Sequence, residues 1–145
     1  MRVPKSALKH CVGLVVVGAA ALASSNAAMA LTARFQITNS FGATLFLDTA
    51  SCTSGSISPP SSIASGGSPT FDGTTTGTTT LCTVRYQSGI YGCQFKVQVL
   101  QSGSSITGFT STNAYKGSGQ RPTCTPLNGN GDLISGGWSG SFKMQ

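Results

Sequence analysis

Residues 81–100 carry two runs of alternating apolar and polar side chains, separated by a short interval rich in turn formers. Cys82, Val84 and Tyr86 alternate with Thr83 and Arg85. After the interval Gln87, Ser88, Gly89, Ile90, Tyr91, Gly92, the residues Cys93, Phe95, Val97 and Val99 alternate with Gln94, Lys96 and Gln98. Successive side chains of a strand point to opposite faces, so this pattern predicts a hairpin with one buried face. Both cysteines fall on that face, where each is placed to form a bridge inside a core.

The same period recurs on either side. Phe35 and Ile37 alternate with Arg34 and Gln36, and the Asn39 to Gly42 interval is a turn candidate, because Asn and Gly tolerate positive φ. Leu45 and Leu47 then face inward, with Thr44 and Phe46 opposite, so residues 33–48 read as an opening hairpin. Residues 51–80 read as loop, interrupted by Pro59, Pro60, Gly66, Gly67 and Pro69. A turn is expected at Asp72-Gly73, followed by a Thr-rich strand entering Leu81. Residues 106–112 predict one more strand, 116–131 a loop with Asn128, Gly129, Asn130 and Gly131 as turn signals, and 132–142 a last strand pair around Trp138. No stretch repeats apolar residues at three and four, the helical spacing, for more than two turns. The expected fold is all-β: a small β-sandwich or barrel of about six to eight short antiparallel strands.

The first thirty residues follow another logic. Arg2, Lys5 and Lys9 precede an uncharged apolar run over residues 11–23, and the segment ends in Ala28-Met29-Ala30. That is the layout of a secretory signal peptide cleaved after Ala30. Its apolar run of 13 residues is short against the roughly 20 that a membrane span requires. Residues 31–145 then form a single domain of 115 residues, expected to be secreted or periplasmic.

Four cysteines remain after cleavage: Cys52, Cys82, Cys93 and Cys124. An even number in a short exported chain predicts two disulfides, with three possible pairings. A zinc site does not fit, since the cysteines are 30, 11 and 31 residues apart and no histidine follows Ala30. Each bridge would stabilise by about 3 kcal/mol in the chain-entropy model.

Loss of the signal also narrows the chemistry. The only histidine, His10, leaves with it, and the chain contains no glutamate. Neither a Ser-His-Asp nor a Cys-His arrangement can be assembled, nor a pair of glutamates for glycoside hydrolysis. Asp48, Asp72 and Asp132 are isolated in sequence. A non-enzymatic protein is expected, without metal or cofactor; the 128–132 stretch holds a single carboxylate, too few for a calcium loop. Six basic residues against three acids leave the domain near +3, without the Lys/Arg cluster that nucleic acid binding needs. The candidate binding residues are instead aromatic and cationic: Trp138, Tyr115, Lys116, Tyr91 and Arg121. Rings of this kind meet sugars or membrane interfaces, and the charge suits anionic lipid. For Trp138 a core position is the competing reading.

Two segments resemble the aegerolysins, small secreted β-sandwich proteins. Residues 35–45 (FQITNSFGATL) are similar to that family's opening strand, Asn turn and second strand. The segment 59–68 (PPSSIASGGS), followed by Phe71, is similar to its proline pair leading into a Gly-Ser turn. The resemblance covers about a third of residues 31–145; the basic charge, the four cysteines and the signal depart from the family pattern. It implies membrane-lipid binding, sometimes with a pore-forming partner, hence cytolysis. The expected function is therefore a secreted binding protein for membrane lipid or glycan. The alternative is an extracellular structural or adhesin subunit, or an inhibitor, that binds another secreted protein. For the export step, intact mass of the secreted material should correspond to a chain starting at Leu31; a secreted species retaining Cys11 would contradict cleavage after Ala30.

Overall fold

In the computed structural model the described residues are 30–132 and 136–145, and they form ten strands and no helix. The expected export signal, apart from Ala30, lies outside them, as do Leu133 and Ile134 of the expected last strand pair. One sheet contains β1 (Thr32–Asn39), β3 (Ser56–Ile57), β5 (Thr70–Thr74), β9 (Cys124–Asp132) and β10 (Gly137–Met144), in the order β3-β5-β1-β10-β9. The facing sheet contains β2 (Leu45–Cys52), β4 (Ser62–Ile63), β6 (Thr79–Ser88), β7 (Tyr91–Ser102) and β8 (Ser105–Lys116), in the order β4-β2-β6-β7-β8. The fold is an all-β sandwich, not a closed barrel.

Period-two burial explains the core. Ala33, Phe35 and Ile37 of β1 and Phe142 and Met144 of β10 meet Cys82, Val84 and Tyr86 of β6 and Cys93, Phe95, Val97 and Val99 of β7. Four rings join the layers: Phe71 stacks on Phe35 at 5.4 Å, Phe35 lies 5.8 Å from Phe142, and Phe142 lies 5.3 Å from Phe95 of the other sheet. Such separations are those of favourable aromatic pairs, worth about 1 kcal/mol each beyond area burial.

The hairpin over residues 81–100 is present as β6–β7, with Cys82 opposite Val97 and Tyr86 opposite Cys93. Other expectations are corrected. β1 and β2 do not form a hairpin: β1 pairs with β5 and, in parallel, with β10, whereas β2 pairs with β4 and β6. Asn39 causes the departure. It is fully buried, its amide donates to the carbonyls of Ala43 and Ile63 (2.8 and 2.9 Å), and its Oδ1 accepts the Phe41 N–H (3.0 Å). These bonds hold the chain as it crosses between sheets. Asn39 itself keeps negative φ, and only Gly42 (φ 88°) uses the left-handed region there.

Residues 51–80 are not a plain loop but hold β3, β4 and β5, two of them only two residues long. Asp72-Gly73 is no turn; both residues lie within β5. Gly73 is there because a Cβ would stand 2.8 Å from Cys82 Sγ and 3.0 Å from Cys52 Sγ, so the strand packs directly on a disulfide. The reversal comes instead in the following Thr run, where Ser54 Oγ bonds Thr75 Oγ1 (2.9 Å) and donates to the Thr79 carbonyl (2.7 Å). Residues 124–131 form β9 rather than a loop, and β8 extends to Lys116. Gly129 and Gly131 there mark a strand lying against the Trp138 ring.

The disulfides are Cys52–Cys82 and Cys93–Cys124. The first links directly opposed residues of β2 and β6, and the second ties β7 to β9 of the other sheet. Both fit an oxidising, extracellular environment. Replacing Asn39 by Ala leaves the Phe41 N–H and two carbonyls without their partner, so the loss should be about 3 kcal/mol. Denaturant unfolding measures it; a change below about 0.5 kcal/mol would contradict a structural role for this crossing.

Candidate functional site

The β6–β7 connection is reduced to two residues, Gly89 and Ile90, because Ser88 pairs with Tyr91. Gly89 has φ 59°, as the first central residue of a type II′ turn requires. The geometry leaves Ile90 at the hairpin tip, 64% exposed. Tyr91 follows, and its ring lies 5.3 Å from Phe41, which the Asn39 side chain holds in the β1–β2 loop. The Arg121 guanidinium also stands over the Phe41 ring, 5.4 Å from its centroid. Its loop, residues 117–123, is closed by reciprocal backbone bonds between Ser118 and Arg121. One end of the sandwich thus gathers Tyr91, Phe41 and Arg121 in a cluster.

Tyr115 lies beside this cluster. A register irregularity at Gly92/Cys93 puts Ala114 opposite Cys93 and Lys116 opposite Gly92, leaving Tyr115 between them without a partner of its own. Its ring covers Gly92, where a Cβ would come within 2.7 Å of it. The hydroxyl reaches Asp48 Oδ2 at 2.8 Å, and Arg85 and Lys116 stand 5.1 and 5.4 Å from the ring centroid. Burial, and secondarily the bond to Asp48, raises the Tyr115 phenol above its ordinary pKa, so it stays a donor. Lys116 Nζ donates to Gln87 Oε1, and Arg85 Nε donates to Gln94 Oε1 at 2.7 Å. An open hollow of about 370 Å³ is lined by Tyr115, Lys116 and Arg121 together with Gly117, Gly119 and Pro122.

The charges are arranged unevenly. Asp72 is held by Arg34 in a two-pronged contact of 2.8 and 2.9 Å on the other sheet, and the Arg34 bond holds its carboxyl below the usual range. Asp48 is taken up by Tyr115. Among the described residues, Lys116 and Arg121 have no acidic partner. The loops at this end, 40–44, 89–90 and 117–123, contain no Asp or Glu. No group of three or more His, Cys, Asp or Glu able to hold a metal ion occurs among the described residues.

Four of the five residues singled out in the sequence, Tyr91, Tyr115, Lys116 and Arg121, therefore meet at one end. Trp138 does not join them. It lies on β10 opposite Gly131, half-buried against the core, with its ring seated on glycines. A Cβ on Gly108 would stand 2.3 Å from its Cγ, one on Gly129 3.1 Å from Nε1, and one on Gly131 3.1 Å from Cζ3. Gly108 is seven residues from Tyr115 along β8, about 23 Å at the rise of a strand. Phe41, Ile90 and Arg85 were missed in the sequence. A Gly-Ile pair as the shortest connection between two alternating runs was the available signal for Ile90.

No family model matches the chain, and no curated protein matches it either. The class stated by the structure alone is a two-disulfide β-sandwich with an aromatic and cationic loop end. Gly108→Ala should displace the Trp138 ring, costing roughly 1–3 kcal/mol as overpacking does, and should shift tryptophan emission to longer wavelength. A variant with unchanged melting and emission would contradict the glycine seat.

Proposed function

We propose that this protein is a non-enzymatic binding module that docks on anionic membrane lipid by the loop end carrying Ile90, Tyr91, Tyr115, Lys116 and Arg121. The observation that carries the reading is the exposed Ile90 at a hairpin tip, on the same loop end as Lys116 and Arg121, which among the described residues have no acidic partner. Interfacial affinity combines apolar area entering the headgroup layer with attraction to anionic lipid. Ile90 supplies the first, next to Tyr91, whose ring contacts Phe41. Lys116 and Arg121 supply the second, and their side chains are held in place by rings, so little ordering cost is left for binding. Export and the resemblance to aegerolysins agree with this use, and permeabilisation of the target membrane belongs to the same reading.

Sedimentation with vesicles of phosphatidylglycerol and phosphatidylcholine tests it. Each basic residue near the surface is worth about 1 kcal/mol, so Lys116→Ala with Arg121→Ala should weaken binding roughly thirtyfold. Ile90→Asp should weaken it at least as much, Asp48→Asn should leave it unchanged or slightly stronger, and high salt should weaken the parent. Absence of parental binding, or parental affinity in the folded double variant, would overturn the proposal.

A further inference from the structure

The four sheet edges are unequal. β3 and β4 are two residues long, and β9 contains Pro126, at a register irregularity opposite Phe142. Short length, proline and bulges are the devices by which β proteins keep edges from pairing. β8 is irregular only near its end, at Tyr115, and from Ser105 to Ala114 it has none of them. It is twelve residues long, without proline, and uncharged until Lys116. It pairs with β7 on one side and, among the described residues, with no strand on the other. β9 packs against its inner face, where Thr112 Oγ1 donates to the Cys124 carbonyl and Thr110 meets Gly129, but is not paired with its edge. Phe109, on the outer face, is 65% exposed.

A row of unpaired N–H and C=O groups fits another β-strand and little else. The occupant must be uncharged, since residues 105–115 offer no charge to recruit an acidic or basic peptide. β8 itself meets that requirement. Antiparallel pairing about a two-fold axis sets its donors against its own acceptors, and no like-charge pair arises over residues 105–115. We propose that two copies of this chain pair antiparallel through β8, making the β4-β2-β6-β7-β8 sheet continuous across a closed dimer. Phe109 of each copy is then covered at the joint, and the blunted remaining edges stop growth there.

Sedimentation velocity of the exported protein over a range of concentrations, without lipid, tests this. The parent should form a concentration-dependent dimer, with slowed amide exchange along β8. Phe109→Lys with Ser111→Lys places like charges across the axis from outward positions and should give a folded monomer with fast β8 exchange. Leu127→Lys on β9 should leave the dimer intact. A parent that is monomeric at the highest concentration reachable, or a folded double-lysine variant that still dimerises, would overturn the proposal. Either result leaves the lipid-binding assay independent, because that assay reads the loop end.

Discussion

The ring of Phe142 lies against Phe35 within its own sheet and against Phe95 of the facing sheet. It belongs to the last strand, which pairs in parallel with the first, from Thr32 opposite Gly137 to Asn39 opposite Met144. The core is therefore completed by residues at opposite ends of the domain. Contacts of that sequence separation are entropically costly to form before other structure exists. The two disulfides act on this constraint from different sides. Cys52–Cys82 fastens β2 to β6 inside one sheet, and Cys93–Cys124 fastens the two sheets to each other.

Strand content was legible because it rests on period two. Phe35, Ile37, Leu45, Cys82, Val84, Tyr86, Cys93, Phe95, Val97 and Val99 are all buried, and all were on the expected inner faces. Connectivity was less legible. Asn39 and Gly42 suggest a tight hairpin turn by local preference, but the buried amide of Asn39 bonds Ile63, 24 residues away, and sends β2 to the other sheet. Glycine misled for a related reason. Gly73, Gly129 and Gly131 read as turn or loop punctuation, yet each sits where a Cβ would crowd a disulfide sulfur or the Trp138 ring. The need for glycine arose from close approach between elements distant in sequence, which local reading does not contain.

The binding end follows from the same frame. Tyr91, Tyr115, Lys116 and Arg121 stand up to 30 residues apart in sequence, and their common location depends on β7 and β8 pairing in register and on the bridge that ties Cys124 to Cys93. Their side chains are positioned by ring contacts rather than by ion pairs. Asp48 accepts the Tyr115 hydroxyl, and Asp72 pairs with Arg34 on the other sheet.

Mapping backbone amide perturbations by NMR during titration with phosphatidylglycerol-containing bicelles tests the central functional claim most directly. The account expects the earliest and largest changes in residues 40–44, 89–92 and 115–121, with little change at the opposite end around Gly103 and Gly77. Perturbations centred on that opposite end, or none at saturating lipid, would contradict it.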